Sequence, residues 1–419
     1  MRLQKNNKGR IFPGSNLLAL CLAPCAVIFF AWIICPDIAN SGSYLNSAHG
    51  STSYGVNRTS LSSFGYSIAN CTHCHEEHSS IGGSQPAPAD GADKFTLFAN
   101  NFNAAKSANP YVQSDSVCFY CHTTSGATLQ TPAFSNYTYS ATFGGCPTAT
   151  CTTSTIFDAF NSASYHNLYD VWRFITGLYG SKTFTSFPAD SSPCSGCHNI
   201  HIAQRSCGKP SGSFDTTKAA ISKPSDHSGL WGDGAGEKMS DYAGSGYQAP
   251  YYNSATTYEP DGSNTSDPSK LPDYVTFCTD CHNATNTIYS TTLSRNLYTI
   301  NWASEMHGKG DASNGAGFLD VLAPYNENTR YVLACTDCHE PHGSPNLFLV
   351  RKKVNNGTVS VQTGTGSNGK EWISLCDRCH GDLSNGSVHV HPLGAGCITC
   401  HPGGNYKVCT DCHYHGNLF

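Results

Sequence analysis

Hydrophobic and polar positions along this chain follow almost no regular period. The one long apolar run is Leu17 to Cys35, LLALCLAPCAVIFFAWIIC, interrupted only by Pro24. Arg2, Lys5, Lys8 and Arg10 precede it without an acid, and polar PDIANSGS follows, with small Ala39 near the exit. A basic n-region, an apolar h-region and a small exit residue describe a secretory signal peptide over residues 1–39, leaving 40–419 as the exported unit. The run is also long enough to span a bilayer, so an uncleaved anchor is the alternative. Lipid attachment is disfavoured, because Cys21, Cys25 and Cys35 follow Leu20, Pro24 and Ile34 rather than a small residue.

Beyond this run, the clearest helical pattern is Tyr165 to Leu178, with apolar residues at 165, 168, 169, 172 and 175. A buried strand is the competing reading. The Gly/Ser/Tyr-rich stretches 123–190 and 199–277 read as wrapping loops, and no flexible linker is evident beyond a soft division near residue 230. Only 13% of residues are charged, and polar Ser, Thr and Asn fill the positions an aliphatic core would need. The predicted fold is therefore loop-rich and low in secondary structure, with a few short helices, and its core must come from something other than its own side chains.

The cysteines supply the candidate. Eight copies of C-x-x-C-H are present: Cys71/Cys74/His75, Cys118/Cys121/His122, Cys194/Cys197/His198, Cys278/Cys281/His282, Cys335/Cys338/His339, Cys376/Cys379/His380, Cys397/Cys400/His401 and Cys409/Cys412/His413. Random placement of the same residues would yield about 0.05 such motifs. Two thiols three residues apart can form thioethers to the two vinyl groups of one porphyrin, and the next residue then lies beneath the iron as its proximal imidazole. Structural zinc would not require a His after every second Cys, and disulfides would not generate the repeat. The reading is eight covalent c-type haems, stacked as the core, with Phe and Tyr packed on them. Export agrees with this chemistry, since such haem is attached on the far side of the membrane. Successive motifs lie 47, 76, 84, 57, 41, 21 and 12 residues apart, so the last three haems must touch or nearly touch.

The sixth ligand separates an electron carrier from an enzyme, because a haem that binds substrate needs an open position. Eight proximal histidines leave eleven of the nineteen: His49, His73, His78, His166, His201, His227, His307, His342, His389, His391 and His415. Eleven suffice to close every iron, whereas Met239 and Met306 are the only methionines besides the first residue. His78, His201 and His342 each follow a proximal His by three residues, in CHEEH, CHNIH and CHEPH. That is too close to reach over the same porphyrin, so each is expected to ligate a different haem; a solvated surface histidine is the alternative. His49 in SAHG and His307 in EMHG have small neighbours that let backbone approach a haem. His166, His227 and one of His389 or His391 (His391 preferred) complete eight, with His415 in reserve. His73 lies between the cysteines of its own motif and is expected not to be a ligand.

Charge narrows the partners. Removing the leader takes Arg2, Lys5, Lys8, Arg10 and Asp37 from 24 basic and 29 acidic residues, leaving 20 and 28, a net of −8, to which haem propionates add. No basic patch exists to neutralise phosphate, so a nucleic-acid partner is excluded. The stretch 261–269, DGSNTSDPS, could hold calcium, but it matches no EF-hand loop and reads more simply as turns. Cys146 and Cys151 bracket PTAT with no following His and suit a small-loop disulfide, which leaves Cys207 odd, either a free thiol or an intermolecular partner.

The run CTDCHEPHGS, then LCDRCH, then VHVHPLGAGCITCH resembles the doubled-CxxCH module of multihaem cytochromes over residues 335–413. The whole chain resembles, in style, the filament-forming outer-surface multihaem cytochromes, or cytochrome nanowires. That resemblance implies bis-histidine haems stacked in alternating parallel and T-shaped pairs that run unbroken through a polymer. The function expected is extracellular electron transfer at the cell surface or beyond, to redox partner cytochromes or extracellular acceptors. Head-to-tail homopolymerisation is expected, with His49 ligating a haem of the next subunit. The alternatives are a monomeric shuttle, or a reductase of nitrite, hydroxylamine or tetrathionate with one open haem; no CxxCK motif is present, and no enzymatic activity is expected.

Overall fold

The computed structural model describes residues 44–76, 95–103, 109–131, 155–180, 187–204, 219–242, 251–254, 257–258, 271–304, 322, 325, 332–362 and 370–379. Within them, regular structure is sparse, and the elements are the ones local sequence enforces. The longest helix, Leu168–Tyr179, starts three residues later than the apolar pattern suggests. Asn167 sets that start: its side chain accepts hydrogen bonds from the Tyr169 and Asp170 N–H groups, which an Asn cap satisfies better than the helix interior could. Tyr165 instead joins the short strand Ser164–Tyr165, paired antiparallel with Gly343–Ser344 in the register Ser164 to Ser344 and Tyr165 to Gly343. Close approach demands the glycine here, because a Cβ at Gly343 would collide with the Ala159 carbonyl.

Every sheet among the described residues is a two-stranded ribbon. Ile221–Lys223 pairs with Asp226–Trp231, Tyr289–Ser290 with Arg295–Asn296, and Lys353–Val354 with Gly357–Thr358. Residue 230, near which a soft division was expected, lies inside the second strand of the first ribbon, and the Trp231 indole donates to the Asp273 carbonyl at 2.8 Å.

Buried apolar side chains form small, separate clusters. Met239, Leu271, Val275, Trp302, Val332 and Ala334 make one. Tyr111, Phe119, Phe160 and Leu168 make a second, and four valines at 350, 354, 359 and 361 a third. Among the described residues no cluster is large enough to organise a chain of this length, in keeping with the composition. Among the described residues the largest fully buried side chain is a cation, Arg351. Its guanidinium donates to the Thr336 and Asp337 carbonyls at 2.9 and 3.2 Å. Met239, one of the two internal methionines, is buried in the first cluster and so is occupied by packing.

Candidate haem sites

Each described C-x-x-C-H sits on one helical turn, and the chain makes the turn in several ways. Cys118–Cys121 and Cys335–Cys338 are four-residue α-turns. Cys278 lies in the last turn of the helix Tyr274–Thr279, and Cys376 ends Lys370–Cys376. Cys71–His73 and Pro193–Gly196 are 3-10 turns. One hydrogen bond recurs in all five sites whose proximal histidine is described. The N–H of His75, His122, His198, His282 and His339 donates to the carbonyl of the first cysteine of its motif, at 2.8 to 3.0 Å. It closes one helical turn, which brings both thiols and the imidazole to one side. Polar caps hold the turns at their N-termini: Asn70 accepts from Thr72 N–H, and Asp273 from the Val275 and Thr276 N–H groups at 2.9 Å.

Four proximal imidazoles face a second imidazole. The ring centroids of His75 and His201 are 6.3 Å apart with planes inclined by 9°. For His198 and His342 the values are 6.2 Å and 7°. His122 and His49 stand 6.2 Å apart at 79°, and His282 and His166 6.1 Å apart at 43°. Two rings ligating one metal ion from opposite sides would have centroids about 6.2 Å apart, given metal–nitrogen bonds of ~2.0 Å and ~1.1 Å from nitrogen to ring centre. The four gaps match that span.

The rings are also oriented for it. A carbonyl oxygen can only accept, so an imidazole Nδ1 beside one carries the proton and leaves Nε2 as the free base. His75 Nδ1 donates to Phe95 O at 2.8 Å, His198 to Ala220 O at 2.8 Å, His339 to Phe348 O at 3.0 Å and His49 to Ile200 O at 3.0 Å. His166 Nδ1 donates to Pro341 O. Burial holds His198 and His342 down to about 4, and it lowers His49, His166 and His201 as well. These side chains are therefore neutral at neutral pH, the form that coordinates.

The remaining positions divide clearly. His73 is buried with both nitrogens engaged: Nδ1 accepts from Arg58 N–H at 3.1 Å, and Nε2 donates to Ser67 O at 2.9 Å. It has none left for a metal ion. His227 packs on Phe187 with centroids 5.0 Å apart, and its Nδ1 has no hydrogen-bond partner. His49, expected as a ligand for a neighbouring subunit, has its Nδ1 held by Ile200 and its ring turned to His122 of the same chain. His78, His307, His380, His389, His391, His401, His413 and His415 lie outside the described residues, as do Cys397, Cys400, Cys409, Cys412, Cys146, Cys151 and Cys207.

Most of the thiols are held neutral. Burial pushes Cys74 up to about 11 and Cys121 and Cys338 up to about 12, whereas the neighbouring Cys194 thiol brings Cys118 down to about 7; a zinc-bound thiolate needs surroundings that favour the anion. All twelve described cysteines are free of disulfides. Among the described residues no three His, Cys, Asp or Glu side chains converge on one point. Phe95, Ile200 and Phe348, whose carbonyls hold imidazoles, are themselves 37%, 39% and 44% exposed, apolar surface of the kind a porphyrin would cover. Paired thiols, opposed neutral imidazoles and open apolar side chains together fit c-type haem.

Neighbouring sites are close. The thiols of Cys118 and Cys194 are near enough to shift one another's acidity, as are those of Cys278 and Cys335. Both pairs join sites that are consecutive along the chain.

Sequence reasoning missed the carbonyl partners, since any residue can supply a carbonyl. It also missed Arg351 and the buried Glu340, whose carboxyl oxygen lies 3.6 Å from His342 Nδ1. Burial pushes Glu340 up to about 8 against the opposing Arg351.

Residues 325–357 match the family model described as the doubled CXXCH motif. The matched stretch contains Cys335, Cys338, His339 and His342 and ends before Cys376. The chain therefore carries a multihaem c-type cytochrome module with covalently attached haem, in a loop-rich fold. No curated relative and no solved structure matches it.

Proposed function

We propose that this chain is an octahaem c-type cytochrome whose irons are closed by histidine on both sides, and that it transfers electrons without intrinsic catalysis. The observation that carries the reading is the set of four imidazole pairs at 6.1 to 6.3 Å, each joining a proximal histidine to one from elsewhere in the chain. A closed axial position excludes a substrate and leaves the iron free only to exchange electrons. Haem bound there supplies one-electron ferric–ferrous chemistry. The chain's own residues supply neutral Nε2 ligands, the carbonyls that orient them, and apolar cover that keeps water from the metal. Consecutive sites approach through Cys118/Cys194 and Cys278/Cys335, whose thiols shift one another's acidity, which favours passage from one haem to the next. The leader-like segment over 1–39 and the Ser/Thr/Gly-rich composition support an extracellular or cell-surface setting, with partner cytochromes or extracellular acceptors as redox partners. Resemblance to the filament-forming cytochromes supports head-to-tail assembly, with its junction at a residue other than His49.

Haem content measured on purified protein, together with its ferric spectrum, tests this. Eight haems per chain, all low-spin, are expected. A high-spin component, or nitrite or hydroxylamine turnover of order 10 per second, would defeat the proposal.

A further inference from the structure

The two CxxCHxxH segments share a geometry that spacing alone does not reveal. In CHNIH, His198 is the proximal ligand candidate of its own motif. Two residues on, the Ile200 carbonyl holds His49, which faces His122. One residue further, His201 faces His75. CHEPH repeats this. His339 is proximal in its own motif, the Pro341 carbonyl holds His166, which faces His282, and His342 faces His198. Each segment thus serves its own site, the site one motif earlier and the site two motifs earlier.

The backbone secures the arrangement in both places. Ala48 N–H donates to Ala203 O at 2.7 Å, tying the residue before His49 to the first segment. Pairing of Tyr165 with Gly343 ties the residue before His166 to the second. Asn199 Oδ1 accepts from His201 N–H at 3.1 Å and sets the curl of CHNIH.

We infer that residues 198–201 and 339–342 are three-site clamps that sort the haems into two ligand-plane classes. Planes are near parallel, 9° and 7°, where the clamp's terminal histidine is the distal ligand, at the His75 and His198 sites. They cross, at 79° and 43°, where the clamp holds the distal ligand through a carbonyl, at the His122 and His282 sites. This inference rests on the bis-histidine reading and adds an electronic consequence to it. An imidazole π orbital stands perpendicular to its ring and raises one of two nearly degenerate iron d orbitals. Parallel rings raise the same orbital and split the pair. Crossed rings raise both, so the degeneracy and the orbital moment survive. The ferric g tensor is then rhombic for the first class and strongly anisotropic for the second.

Low-temperature electron paramagnetic resonance of the oxidised full chain tests the inference without any variant. Both classes should appear, with the His122 site the most anisotropic and the His282 site intermediate. His201→Met should remove one haem's worth of rhombic signal and create a His/Met haem, while His49→Met removes anisotropic signal instead. In a Cys71→Ala/Cys74→Ala background, which lacks the haem facing His201, His201→Met should remove nothing further. A single low-spin class in the native protein, or a further rhombic loss in that background, overturns the clamp and leaves bis-histidine ligation standing. High-spin ferric signal in the native protein overturns the ligation itself.

Discussion

Arg351→Met isolates what a buried cation does for a haem turn. The Arg351 guanidinium donates to the Thr336 and Asp337 carbonyls at 2.9 and 3.2 Å, inside the turn Cys335–Cys338. Thr336 and Asp337 are 6% and 1% exposed, so water cannot take over those bonds without opening the turn. Methionine keeps most of the stem and removes every donor. Two carbonyls that each lose a charged partner in a dry site cost about 1–3 kcal/mol apiece. Relief of the guanidinium's own burial offsets part of that, so the net loss should be about 3 kcal/mol. Arg351 also opposes the burial that raises Glu340, so its removal should leave Glu340 protonated to still higher pH. Thermal unfolding followed by circular dichroism in the Soret region reports the stability change, and Arg351→Lys should recover part of it. A Met variant within about 0.5 kcal/mol of the native protein would show that these carbonyls do not depend on Arg351.

Other substitutions follow the same logic. His73→Ala should cost about 2–3 kcal/mol, because it removes a buried group bonded at both nitrogens, yet leave every haem low-spin in the ferric spectrum; a new high-spin signal would make His73 a ligand after all. His342→Ala should produce one high-spin haem with haem content unchanged, since no thioether is touched. Asp273→Ala removes the cap of the helix carrying Cys278 and should lower stability by about 1–2 kcal/mol in denaturant titration, with Asp273→Asn retaining most of it. His49→Ala should leave any filaments seen by negative-stain microscopy intact while making one haem high-spin, because the ring faces His122 of its own chain; loss of filaments with every haem still low-spin would place His49 at a junction.

What could be decided from sequence alone is what one turn of backbone decides. C-x-x-C-H is complete within five residues, and the bond from the histidine N–H to the first cysteine carbonyl follows from that spacing alone. Composition likewise foretold that the described residues hold only small, separate apolar clusters, since apolar area is additive and needs no knowledge of contacts. The helix at Leu168 was legible as periodicity, but its start was not, because Asn167 competes with the pattern and wins locally. Which histidine faces which was settled by tertiary structure. His166 meets His282 because its neighbour Tyr165 pairs with Gly343, and His49 meets His122 because Ala48 and Ile200 anchor it to the CHNIH segment. An imidazole carries the same chemistry wherever it stands in the chain. Only the packing that brings two of them about 6 Å apart, with one ring of each pair tethered through Nδ1 to a carbonyl, turns a surplus of histidines into pairs.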